Sequence, residues 1–245
     1  MTYALRATLT VLLFSTIAAP ASALTINFEE FSHGQIIRDS QGVEIRTTNL
    51  GGGPDMGVSF DTNVLGTADP DLQFHSTGIK GGENGWKSGN IDLNTDLGQI
   101  MIIQEKMKSC GESFCLDPDD EGSRPGGTIE FDYSSVGPFT DFQMDVVDIG
   151  IGHRRAPSSV EFFLGDVRME EVMFDDFVKP DVIFGDNSAN RLNVVSGIRF
   201  DRVVVRLGGS GGIDNVTASA VPEPSAAILF LVGAVAVRTG IRKSA

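Results

Sequence analysis

Of the 245 residues only two are cysteine, three histidine, one tryptophan and two tyrosine. Two cysteines exclude a disulfide-dense scaffold and are too few thiolates for a cysteine-built zinc site. The histidines, His33, His75 and His153, stand alone without an H-E-x-x-H pair, and no G-x-S-x-G elbow presents a serine nucleophile. No catalytic constellation is legible, so the expectation is a protein that is not an enzyme. Basic residues are scarce too: 19 lysines and arginines face 33 aspartates and glutamates, a formal net charge of −14. Such a surface repels phosphate, which argues against nucleic acid and anionic lipid and favours divalent cations and neutral or basic partners. No apolar run reaches the ~18 residues of a comfortable membrane-spanning helix. Residues 24–220 also lack a helical pattern of useful length.

What fills that region is short strand-like runs among 29 glycines and 10 prolines. The runs are 24–28, 43–47, 57–60, 100–104, 128–133, 141–147, 159–164, 167–174, 191–195, 202–207 and 213–219. Several alternate cleanly: Ile129, Phe131 and Tyr133 share one face while Thr128, Glu130 and Asp132 share the other, and Phe142, Met144 and Val146 repeat the pattern. A period of two with one buried face predicts antiparallel sheets. The expected fold is all-β, a two-sheet antiparallel β-sandwich of jelly-roll-like kind, over residues 24–220. Two irregular stretches, 51–90 and 106–127, interrupt it, and long loops on a rigid sandwich are where binding tends to sit.

The sharpest candidate site is Asp117-Pro118-Asp119-Asp120-Glu121-Gly122. Oxygen ligands at Asp117, Asp119 and Glu121 before a glycine match the first half of a calcium loop. The second half fails, because position twelve is Thr128 and no helices flank the loop, so an EF-hand is excluded while a single-loop calcium site survives. Asp69, Asp71 and Asp214 are the distant residues expected to complete the shell. The competing reading is a solvated acidic turn here and turn capping at Asp69-Pro70-Asp71. Trp86, with Asn84 and Glu83 beside it, is a candidate sugar platform, because an aromatic face with polar neighbours suits a pyranose ring. A lone tryptophan serving as partly buried core is the alternative.

The two ends differ in kind from the middle. Arg6, the uncharged run 7–19 and Ala21-Ser22-Ala23 have the order of a secretory signal peptide over residues 1–23, cut by signal peptidase. At the other end, Pro222, Glu223 and Pro224 form an extended hinge that neither helix nor strand can continue. An apolar run, 226–237, and the basic Arg238, Arg242 and Lys243 follow. Twelve apolar residues make a helix of roughly 18 Å against a hydrocarbon core of about 30 Å. Without the two ends the domain keeps 15 basic and 32 acidic residues. In an exported protein Cys110 and Cys115, five apart, read as a disulfide that pins a surface loop.

Residues 221–245 resemble the PEP-CTERM sorting signal: proline-glutamate-proline, an apolar stretch that forms a short C-terminal helix, and a basic end. The resemblance implies recognition of the motif by an exosortase, a membrane-embedded cysteine transpeptidase-like enzyme. It also implies transient anchoring in the inner membrane before delivery to the cell surface or extracellular matrix. The middle resembles a class of exported β-rich domains through Phe60-Asp61-Thr62, Asp69-Pro70-Asp71-Leu72 and Gly127-Thr128-Ile129-Glu130-Phe131. That second likeness implies a jelly-roll-like extracellular module and something shared among Asp61, Asp69, Asp71, Asp117 and Asp119, such as a cation site. Together the readings lead to a non-catalytic surface or matrix component with calcium-dependent binding of surface polysaccharide. A polysaccharide-acting enzyme (glycoside hydrolase or lyase) and a purely structural matrix protein are the alternatives.

Overall fold

All eleven strand-like runs form strands, joined by two pairings too short to show a period. The computed structural model describes residues 23–74, 86–92, 94–150 and 157–220, and Ser22–Val221 is one compact unit. Both terminal segments, with the signal helix and C-terminal helix expected in them, lie outside the described residues.

The first sheet has the order β11 (Ala189–Phe200), β8 (Phe139–Val147), β13 (Gly212–Ser219), β6 (Gln99–Ile103), β5 (Gly57–Asp61) and β2 (Ile36–Ile37), and β1 (Ala23–Ile26) also pairs with β13. The second has the order β10 (Val167–Met173), β9 (Ser159–Leu164), β12 (Arg202–Leu207), β7 (Gly127–Asp132), β4 (Val43–Asn49) and β3 (Asp39–Ser40). Every pairing between these strands is antiparallel.

The alternation read from the sequence decides what lies between the sheets. Met101, Phe142, Met144, Ile213 and Val216 of the first sheet meet Ile45, Ile129, Phe131, Val160, Phe162 and Val203 of the second in one apolar core. The fold is therefore all-β and sandwich-like. Phe200, at the end of β11 where the chain crosses to the second sheet, is the hub of the aromatic packing. Its ring lies 5.2 Å from Phe162, 6.1 Å from Phe142 and 6.2 Å from Tyr133, at the offset or edge geometries that aromatic quadrupoles favour.

The outer face of the first sheet is divided in two. Over β5, β6 and the ends of β8 and β11, a smaller core forms from Val58, Phe60, Ile100, Ile102, Val147 and Ala189. It is roofed by Leu72, Phe74, Trp86, Ile91 and Leu97 of the long β5–β6 connection. Over β1, β13 and the remainder of β8 and β11 the face is left open among the described residues.

Candidate functional site

On that open face the strand register stacks polar side chains into rows. Cross-strand pairing aligns Asn193, Gln143, Thr217 and Thr25 across β11, β8, β13 and β1. The next row toward the chain termini aligns Asp141, Ser219 and Ala23. Neighbouring strands lie roughly 4.8 Å apart, so each row is a ladder of polar groups at that pitch. Apart from Thr25, these residues line a shallow groove of about 310 Å³ together with Phe142. Thr217 and Thr25 share a hydroxyl hydrogen bond of 2.9 Å, and Thr140 holds Asp141 at 3.0 Å.

The row on the other side is charged. Arg191, Asp145 and Asp214 face one another across β11, β8 and β13. A bulge separates Asp214 from Thr217, with Asn215 in the left-handed region at φ 47°, so two side chains three residues apart point to the same face. Arg191 clamps Asp145 bidentately, Nε and Nη2 each donating at 2.7 Å, and the Asn215 amide donates to Asp145 at 2.9 Å and to Asp214 Oδ2 at 2.8 Å. Asp145 and Asp214 are 0% and 1% exposed, yet Asp214 Oδ1 has no hydrogen-bond partner. Burial, with the charges of Asp145 and Glu29 beside it, pushes the Asp214 carboxyl up to about 8.

A second acidic centre lies under the loops at one end of the molecule. The Asp120 and Asp69 side chains lie against each other, and the like charge of Asp69 adds to the effect of burial on Asp120. The backbone N–H of Gly211 donates to Asp120 Oδ2. Asp148 accepts from the backbone N–H of Asn187 at 2.7 Å and from the Ser210 hydroxyl at 3.4 Å. Burial and the neighbouring Asp69, Asp71 and Asp186 carry Asp148 up to about 7, and burial with Asp69 holds Asp120 well above the carboxylate range. Asp71 is raised by burial and by Asp186. At 5% and 6% exposure, Asp120 and Asp148 are shielded from solvent.

The structure does not bring the carboxylates of the calcium loop read from the sequence together. Asp120 is bridged to Gln104, and the flanking carboxylates are taken by different neighbours. Asp117 is exposed, Asp119 pairs with Lys106 at 2.7 Å, and the buried Glu121 accepts from Asn49 Nδ2 at 2.6 Å and the Ser123 N–H at 2.7 Å. The residue between them, Asp120, is the one that reaches Asp69. Asp69 also caps the short 3-10 turn Pro70–Leu72 by accepting from the Asp71 N–H, as turn chemistry suggested. Among the described residues no three His, Cys, Asp or Glu side chains are grouped to hold a metal.

Trp86 is 3% exposed and packs edge-on against Phe74 at 5.2 Å, so its ring belongs to the smaller core and offers no face to a sugar. Asn84, Glu83 and the sorting motif Pro222, Glu223 and Pro224 lie outside the described residues. Cys110 and Cys115 form the expected disulfide across a hairpin-like loop. His33 accepts from the Asp61 N–H through Nδ1 at 3.0 Å, and burial lowers its pKa, so it is a neutral structural group. The groove residues, Asp145 and Glu29 escaped sequence reasoning. One signal was present: once Phe142, Met144 and Val146 face inward, Asp141, Gln143 and Asp145 must face outward together.

No family model matches this chain, and comparison with curated proteins and with solved structures found no match.

Proposed function

We propose that the chain is an exported, non-catalytic surface or matrix module of jelly-roll-like form that binds neutral polysaccharide in the groove on the open face of its first sheet. One observation carries this reading: the ladder of Asn193, Gln143 and Thr217, with Asp141 and Ser219 in the adjoining row. Each sugar hydroxyl is both donor and acceptor, and a set of two amides, two hydroxyls and a carboxylate at strand pitch can answer both roles. Among the described residues the groove has no aromatic platform, so the expected affinity is modest, about 1 mM or roughly 4 kcal/mol.

An enzyme acting on polysaccharide is the weaker reading. Glycoside hydrolysis uses two carboxyl groups flanking the bond. Asp141 is the single carboxylate among the described residues lining this groove, and Asp120 and Asp148 are too buried for a substrate to reach.

Affinity electrophoresis through neutral polysaccharides tests the reading. Wild type should be retarded, and the double variant Gln143→Ala/Asn193→Ala should bind at least tenfold more weakly with an unchanged melting temperature. Equal mobility of wild type with and without polysaccharide would contradict it.

Destination is the second half of the proposal: signal peptidase removes residues 1–23 and an exosortase-type enzyme reads Pro222-Glu223-Pro224. Glutamate is the motif's only charge, and the prolines on either side keep it extended for an active site. Glu223→Ala should therefore accumulate unprocessed in the membrane fraction. Identical processing of variant and wild type would remove the sorting claim.

A further inference from the structure

We propose that Asp214 and Glu29 hold a calcium ion at the head of the groove, where β13 exchanges one partner strand for another. Along one edge β13 pairs with β6 through Gly212 and Ile213, and then with β1 from Val216 onward. The residues between, Asp214 and Asn215, sit at this junction, and the bulge against β8 begins there. The two buried carboxylates of the row are unequal. Asp145 has both oxygens occupied by Arg191 and a third donor in Asn215, whereas Asp214 has Oδ2 held by Asn215 and Oδ1 without any partner.

An orphaned carboxylate oxygen in a residue 1% exposed is costly unless something charged or hydrogen-bonding reaches it. A proton would remove the charge but leave Oδ1 without a hydrogen-bond partner. Glu29 lies three residues beyond Ile26, the partner of Val216, and bonds to Gln99, two residues before Met101, the partner of Ile213, so the register brings a second negative group to this junction. Its Oε1 accepts from the Gln99 N–H at 2.9 Å, which fixes the side chain beside the end of β6. Two fixed carboxylates with one free oxygen on Asp214 suit a hard cation that accepts irregular geometry, and calcium completes its shell with backbone carbonyls and water. The same row borders Gln143 and Thr217, so a cation here would also brace the groove; the stability readout below does not depend on whether the groove binds sugar.

Thermal unfolding of the full-length chain in 10 mM calcium against chelator is the test. With a dissociation constant of about 10⁻⁴ to 10⁻³ M, calcium should raise the melting temperature by roughly 3–10 °C. Asp117→Ala/Asp119→Ala should keep that rise, and the isosteric Asp214→Asn should lose it. Should Asp214→Asn fail to fold, calorimetry on Glu29→Gln, at an exposed position, should show calcium binding weakened at least tenfold. Equal melting temperatures in calcium and chelator for wild type overturn the proposal, as does a rise that survives Asp214→Asn or full affinity in Glu29→Gln.

Discussion

Replacing Phe200 with alanine should cost about 4 kcal/mol, the loss typical of deleting a buried aromatic ring that its neighbours cannot collapse to fill. Phe200 is 0% exposed and its ring touches residues of both sheets: Phe139 and Phe142 on one side, Tyr133 and Phe162 on the other. Phe139 and Phe142 are held by β8, Phe162 by β9 and Tyr133 by the loop after β7, so no single side chain can swing into the space. For a unit of this size the melting temperature should fall by about 8–16 °C. Phe114→Ala, at a residue 40% exposed, should change stability by less than about 0.5 kcal/mol. Chemical denaturation of both variants checks the contrast, and a Phe200→Ala loss as small as that of Phe114→Ala would mean the two sheets do not share this core.

Stability should also fall as pH rises from 4 to 7. Asp148 has its pKa raised in the folded protein to about 7, chiefly by burial. Between the unfolded value near 4 and that folded value, the native state binds more protons than the unfolded state. The slope of unfolding free energy against pH is then negative: the contribution is complete below about pH 4 and is lost by about pH 7. Three pH units correspond to at most about 4 kcal/mol. Asp120, shifted in the same direction by burial and by Asp69, adds to the slope. Asp148→Asn should flatten the curve while retaining its contact with Ser210 or Asn187. Guanidinium unfolding measured at half-unit pH steps is the check, and stability that climbs through this window would refute the protonated acidic centre.

The strands were legible because one buried face imposes a period of two over five or more residues. Ile36–Ile37 and Asp39–Ser40 are too short to show any period, and the second half of β11 was missed because Ser196 and Gly197 look like a break. The sites were less legible because they depend on register between distant strands. Nothing local to Gln143 says that Asn193 and Thr217 flank it, nor that a bulge at Asn215 brings Asp214 into the same face. The alternating acids of 117–121 do not converge for a related reason. Period two needs a common neighbour to become a site, and here Lys106 takes Asp119, Asn49 takes Glu121 and Asp117 is exposed. Trp86 carried no period at all, and its burial comes from Phe74, brought against it by the long connection that roofs β5 and β6.

Carbohydrate binding in the groove is tested most directly by following the side-chain amide resonances of Gln143 and Asn193 while cello-, malto- and manno-oligosaccharides are titrated in. The account predicts that at least one series shifts both amides together with the backbone signals of Thr217 and Ser219, saturating near millimolar concentration. Shifts confined to other surfaces, or none at all with any series, would contradict it.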